Sequence, residues 1–176
     1  MANRYYNAAV DTAWDTLGNW WNDEFFTDPA LALPATGDTV YLSAQMDSGP
    51  STAVTLDHIY VVGASTVDGI FYVVLQGAIG NATFNYWCYN RVTSEITGNA
   101  TFNYSSYNGG AVNGDATFND SSQHNSISTV NGDATFNGNS FNSGTIMGSA
   151  TFNDYSANDS SSFNGEVTFN DYSYNN

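Results

Sequence analysis

From residue 78 onward, hydrophobic and polar positions recur in fixed columns. The tripeptide Thr-Phe-Asn places phenylalanine at Phe84, Phe102, Phe118, Phe136, Phe152 and Phe169, with spacings of 18, 16, 18, 16 and 17 residues. Two residues before each phenylalanine stand Ala82, Ala100, Ala116, Ala134, Ala150 and Val167; six before it stand Ala78, Ile96, Val112, Val130, Ile146 and Phe163. These apolar columns keep one parity and the positions between them are small or polar, the alternation of a half-buried β-strand. On the other parity Thr83, Thr101, Thr117, Thr135, Thr151 and Thr168 precede the phenylalanine, and Asn85, Asn103, Asn119, Asn137, Asn153 and Asn170 follow it, so both columns face outward. Glycine always lies four residues before the phenylalanine, from Gly80 to Gly165.

Further along each unit the pattern continues. The fourth residue after the phenylalanine is small (Cys88, Ser106, Ser122, Ser140, Ser156, Ser173), and the sixth is Asn90, Asn108, His124, Asn142, Asn158 or Asn175. Asparagine tolerates left-handed backbone and bonds its own main chain, so this last column reads as a repeated corner. The length changes fall after it, which puts a variable loop at residues 91–95, 109–111 and 125–129.

A unit of this size is too short to bury its own phenylalanine. Stacking like units covers each ring with the next and gives one continuous core. The expected fold is all-β: a single-stranded β-solenoid, or parallel β-helix, with rungs of about 17 residues. A meander of antiparallel hairpins is the competing arrangement. It would alternate two strand types about tight Asn-Gly or Asp-Gly turns, whereas here every unit repeats one order of columns. The solenoid repeat is assigned to residues 78–176.

The head reads differently. Residues 1–37 hold Trp14, Trp20, Trp21, Phe25 and Phe26, then Pro29, Pro34 and Gly37, and suit an aromatic cap over the first rung. Residues 38–77 contain strand-like runs at 38–42, 54–62 and 69–75 and are expected to form irregular first rungs. The repeat runs to Asn176 without a capping segment, so another subunit is expected to cover the last rung.

Composition narrows the function. Charged residues make up only 11% and the formal charge is −15, with Arg4 and Arg91 the only basic side chains. Nothing here can neutralise phosphates, which excludes nucleic acid and anionic lipid as partners. No apolar run is long enough to insert in a membrane, and no signal peptide is visible at the start.

Chemistry-bearing residues are few. Cys88 occupies the column that otherwise holds serine, and His58 and His124 stand apart, so neither a nucleophile with its base nor a zinc site of usual spacing is expected. Asp115, Asp133 and Glu166 share one outward column and Asp120, Asp154 and Asp171 another. A glycosidase pair needs a walled cleft between its carboxylates, and the adjoining loops are too short for one. No catalytic residue, metal or cofactor is expected. The aromatics Tyr86, Trp87, Tyr104, Tyr107, Tyr155, Tyr172 and Tyr174, together with Tyr89 and Phe141, gather after the Thr-Phe-Asn strand and form the candidate interface. The alternative is a binding module that displays the regular Thr/Asn face or the aromatic face to glycan or ice.

Gly18-Asn-Trp20 followed by Pro34-x-x-Gly37-Asp38-x-Val40-Tyr41, leading into Ala-Thr-Phe repeats, resembles the head of phage-encoded and surface β-helix proteins. The resemblance implies a virion structural role, as head fibre, decoration protein or tail fibre, and carries over no catalytic residue. Expected partners are a second copy of the chain or other subunits of the same assembly, with glycan as the non-protein alternative. The expected location is a virion or extracellular surface.

Overall fold

The computed structural model describes residues 2–6, 14–43, 56–62, 71–73, 79–90, 95–159 and 162–176. Among them every regular element is a strand, apart from one short 3₁₀ turn at Leu17–Asn19. Successive Thr-Phe-Asn strands pair parallel and in register. Phe84 lies opposite Phe102, Phe102 opposite Phe118, Phe118 opposite Phe136, Phe136 opposite Phe152 and Phe152 opposite Phe169. The chain is a β-solenoid, and the phenylalanine-bearing coils are numbered here rungs 1 to 6.

Each regular rung has three sides, and the strands of each side stack into a sheet of their own. The Ala-Thr-Phe segment makes the first side. A second side is built from short strands such as Tyr107–Asn108, Gln123–His124 and Phe141–Asn142, and a third from Ala111–Val112, Thr129–Val130 and Thr145–Ile146. Phe, Ala and Ile/Val from the first and third sides meet in the dry core, where Phe84 to Phe152 have no exposed surface. Neighbouring phenylalanine rings lie 4.7–5.0 Å apart within 13° of parallel. The rung spacing of about 4.8 Å thus sets the ring spacing directly.

The first side continues into the head. β1 (Asn3–Tyr6), β3 (Thr39–Leu42) and β4 (Leu56–Val62) add parallel strands in the order β1-β3-β4, and β4 joins the strand of rung 1. The phenylalanine column therefore runs on through Val61, Leu42 and Tyr6. Residues 1–37 supply a rung of the solenoid, β1, as well as a cap. The cap itself is β2 (Trp20–Trp21), which pairs antiparallel with β1 and bridges to Pro29. Reversed direction and a proline without an N–H end the sheet on that edge. Beneath it Tyr6, Trp14 and Trp20 are buried together, with Trp20 Nε1–H donating to the carbonyl of Trp14 at 2.7 Å.

The resemblance motif forms the entry to β3. Asp38 N–H closes a turn onto the carbonyl of Ala35, with Gly37 at φ +87°, the geometry that favours glycine at the third position of a type II turn. The buried Asp38 carboxylate accepts the amides of Ala2 and Ala35 and faces Arg4 at 3.7 Å.

Two sequence expectations need correction. In rung 1 the buried third-side position belongs to Ile79, five residues before the phenylalanine, which bridges Ile96; Ala78 lies outside the described residues. The Asn90–His124–Asn175 column ends the second-side strands, beside the expected corner, where Oδ1 of Asn108 and Asn142 accepts the N–H of Gly110 and Gly144. Its backbone is extended rather than left-handed, and Asn90, Asn108, His124, Asn142 and Asn158 are wholly buried, pointing inward beside the small column of Cys88, Ser106, Ser122, Ser140 and Ser156. Of the expected variable loops, residues 109–111 and 125–129 link the second and third sides, and 91–94 lie outside the described residues.

Candidate functional site

The true corner lies two and three residues after each phenylalanine. Both positions have positive φ in every rung: Tyr86 and Trp87, Tyr104 and Ser105, Asp120 and Ser121, Gly138 and Asn139, Asp154 and Tyr155, Asp171 and Tyr172. With Ser122 N–H bonded to Asn119 O at 3.2 Å, and Ser156 and Ser173 likewise placed, the corner is a stacked type I′ turn. Left-handed backbone costs a bulky residue about 1–2 kcal/mol. The stack holds it in place, because corner amides bond across rungs: Trp87 N to Tyr104 O at 3.1 Å, Ser105 N to Asp120 O at 2.9 Å, Asn139 N to Asp154 O at 3.0 Å. Inside the corner, Ser106, Ser122 and Ser140 donate their hydroxyls to the carbonyls of Asn103, Asn119 and Asn137 at 2.6–2.7 Å, and the Cys88 thiol does the same toward Asn85. Cys88 is buried, as expected from its column.

The expected outward columns behave as ladders. Asn103, Asn119, Asn137, Asn153 and Asn170 each donate Nδ2–H to the Oδ1 of the asparagine one rung before, at 2.8–2.9 Å, starting from Asn85. Both ends of the Asn103, Asn119, Asn137 and Asn153 amides are thereby engaged within the protein. Thr83, Thr101, Thr117, Thr135 and Thr151 alternate with these as a half-buried row. The inner ladder runs the other way: Asn90 Nδ2 donates forward to Asn108, Asn142 to Asn158, and Asn158 to Asn175.

His124 interrupts that inner ladder. Its Nδ1 accepts from Asn108 Nδ2 at 3.2 Å, and its Nε2–H donates to the carbonyl of Thr145 at 3.3 Å, which fixes the neutral tautomer. Burial lowers its pKa to about 4, against a smaller opposing effect of the Thr145 carbonyl. The imidazole needs room, and Gly144 provides it: a Cβ there would lie 2.5 Å from the ring. His58 is a different case, stacked on Tyr60 at 4.1 Å and bonded through Nε2 to Thr83 Oγ1 at 3.1 Å.

The column of Asp115 and Asp133 also serves the main chain, whereas Asp120, Asp154 and Asp171 stand at the first corner position. Oδ1 of Asn81, Asn99, Asp115 and Asp133 each accepts the backbone N–H of the equivalent residue one rung on, at 2.8–2.9 Å. This explains the neighbouring glycines. A Cβ at Gly132 would sit 2.5 Å from Asp115 Oδ1 and 2.6 Å from the carbonyl oxygen of Gly114, leaving no space for alanine. Among the described residues no three His, Cys, Asp or Glu side chains gather as a metal would need.

The expected aromatic interface divides into separate columns, none of which enters the core. Tyr86 and Tyr104 stack at 4.6 Å on the first corner position. Tyr155 and Tyr172 stack at 5.1 Å on the second, which also holds Trp87. Tyr107 belongs to the outer face of the second side, where it pairs with Tyr89 at 5.9 Å, and Tyr174 continues that column. A further row, on the first side, was not anticipated: Tyr5, Tyr41 and Tyr60 stack at 4.7 and 4.9 Å in the column that becomes threonine from rung 1 onward. The signal for it was alternation within β1, β3 and β4, which spacing alone could not align. Comparison of the chain with protein families, with curated proteins and with solved structures finds no match.

Proposed function

We propose that this chain is a non-catalytic structural protein, an assembly block of a virus particle (as head fibre, decoration protein or tail fibre) or of an extracellular filament. The observation that carries this reading is the inter-rung bonding of the Asn and Asp side chains, which engages polar groups in holding a rod of fixed cross-section rather than in serving a cleft. Strands that stack parallel and in register, each ladder extending the one before, suit a repeating assembly block.

Multi-angle light scattering over a hundredfold concentration range, at physiological salt, tests the reading. Concentration-dependent association is expected, with particles or filaments visible by electron microscopy. A monodisperse monomer throughout, unassociated with any particle, overturns it.

A further inference from the structure

Rung 3 differs from its neighbours in two ways that fall in the same place. Its inner column holds His124 where the other rungs hold asparagine, and its link from the second side to the third is longer. Residues 109–110 make this link in rung 2 and residues 143–144 in rung 4, whereas rung 3 uses residues 125–128. The extra residues face solvent: Ser126 is exposed, and Ile127 is 82% exposed. A strand of two residues, Gln123–His124, enters this slack link and another, Thr129–Val130, leaves it.

The seat of the imidazole is built for its neutral form, because the Asn108 amide beside it cannot turn over. Its Oδ1 accepts Asn90 Nδ2–H at 2.8 Å and the Gly110 N–H at 3.2 Å. Its Nδ2 donates to the Gly110 carbonyl at 3.1 Å as well as to His124 Nδ1. A proton on Nδ1 therefore meets an N–H that cannot be exchanged for an acceptor. Ser128 Oγ lies 3.0 Å from Nδ1 and donates to the carbonyl of Asn125 at 2.6 Å, but it belongs to the slack link itself. No charged group compensates, since only burial and the Thr145 carbonyl act on the ring. The titratable neighbours lie outside: Tyr89 and Tyr107 stack on the outer face of the second side, and Asp115, Asp120 and Asp133 are exposed on the first side and its corner.

We propose that residues 123–130 form an acid-released strap in the middle of the rod. Protonation of His124 expels the ring, and the strap leaves the stack along its slack link. The Ala116–Phe118 strand of the same rung stays in place, paired with rung 2 on one side and rung 4 on the other and holding Phe118 in the spine. At neutral pH the strap is tied back toward the rungs before it by few bonds: Gln123 N–H to the Ser106 carbonyl at 2.9 Å, Asn125 N–H to the Asn108 carbonyl at 3.0 Å, and Asn125 Nδ2–H to the Tyr89 hydroxyl at 2.9 Å. Its release differs from general acid unfolding in being confined to one rung. The device is independent of the assembly reading above.

Amide hydrogen exchange between pH 7 and 4.5, with each rate corrected for its intrinsic pH dependence, tests the proposal on the full chain. Between the ordinary histidine value of 6.5 and the folded value of about 4, release takes up one proton. The opening constant should therefore rise about tenfold per pH unit in that window. Protection of the Gln123, Asn125 and Ser128 amides is expected to fall by this factor, while Ala134–Phe136 and Ala150–Phe152 stay protected. His124→Asn, which supplies the residue of the other rungs, should abolish the fall. Strap protection that does not change with pH, a fall shared equally by all strands, or an equal fall in the variant overturns the proposal. The comparison of segments lies within the wild-type chain, so it decides even if the variant does not fold.

Discussion

The head strands β1, β3 and β4 and the six regular rungs occupy one sheet in one register, yet they fill its columns with different residues. Where the regular rungs set a small alanine beside a large phenylalanine, the head sets Val40 beside Leu42 and Ile59 beside Val61. Where the regular rungs place threonine outside, the head stacks Tyr5, Tyr41 and Tyr60. Total core volume is roughly conserved although no single column is. The solenoid is therefore specified by which way each position faces, and the Thr-Phe-Asn motif is one solution that repeats well.

The largest test of this contrast is in the core. Phe118 is sandwiched between Phe102 and Phe136 at 4.9 and 4.7 Å, so Phe118→Ala removes two stacked contacts and leaves a ring-sized void. It should cost about 3–5 kcal/mol in urea unfolding. Val61→Ala, in the same column of the head, should cost only about 1.5–2.5 kcal/mol. Equal losses would mean that the phenylalanine spine is not the cooperative core.

Next in size is the glycine column. Asp57 of β4 lies opposite Gly80 and carries its side chain in solvent, whereas Gly132 is enclosed by main chain and Asp115. Gly132→Ala is expected to cost about 1–3 kcal/mol by forcing rungs apart, and Asp57→Ala to stay within about 0.5 kcal/mol. A harmless Gly132→Ala in thermal melts would show that the rungs have slack which the register does not suggest.

The regular rungs were legible because phenylalanine, glycine and threonine keep fixed offsets, and period-2 parity told inside from outside. The head was not, because Tyr6, Leu42 and Val61 share no residue type and long connections separate them. The inner asparagine column was legible as part of a corner but not as buried. The amides of Asn108 and Asn142 bond the main chain two residues on, as asparagine does in turns, and the same amides also pair with copies of themselves in a dry interior. Parity was the better guide: the fourth and sixth positions after phenylalanine match, one always small and the other polar, as two inward positions should. The left-handed corner had its own signal in Asp120, Gly138, Asn139, Asp154 and Asp171, masked in rungs 1 and 2 by Tyr86, Trp87 and Tyr104. For the aromatic corner, sequence supplied the residues; the pairing of ring faces required the fold.

His124 sharpens the contrast by pH, since the buried side chains of the head core carry no titratable histidine. Its folded pKa of about 4 lies below the ordinary value of 6.5. Protonation therefore favours the unfolded chain. The stability tied to neutral His124 is complete above about pH 7 and is lost as pH falls from 6.5 toward 4, by about 1.4 kcal/mol per pH unit within that window. Denaturant midpoints of wild type and His124→Asn should diverge over this range and run parallel above it. The variant restores the ladder residue, so its own stability at pH 7 should fall only modestly, through the space left beside Gly144. Parallel curves down to pH 4.5 would mean that His124 is protonated in the fold, against its bond to Asn108.

The smallest effect probes how far a rung communicates. Tyr41 stacks between Tyr5 and Tyr60 on the outer face, so Tyr41→Thr gives a head rung the outward residue of the regular rungs and removes two ring contacts. Half-buried stacking of this kind is worth about 0.5–1.5 kcal/mol per pair, and threonine, well suited to strands, returns part of it; a net loss near 1 kcal/mol is expected. In a stack where each rung touches only its neighbours, that loss should be local. Hydrogen exchange should quicken in β1, β3 and β4 while the amides of Ala116–Phe118 and Ala134–Phe136 stay as protected as before. Uniformly faster exchange along the whole rod would mean that head and repeats unfold as a single cooperative unit, and the differences between their columns would then carry no separate energetic weight.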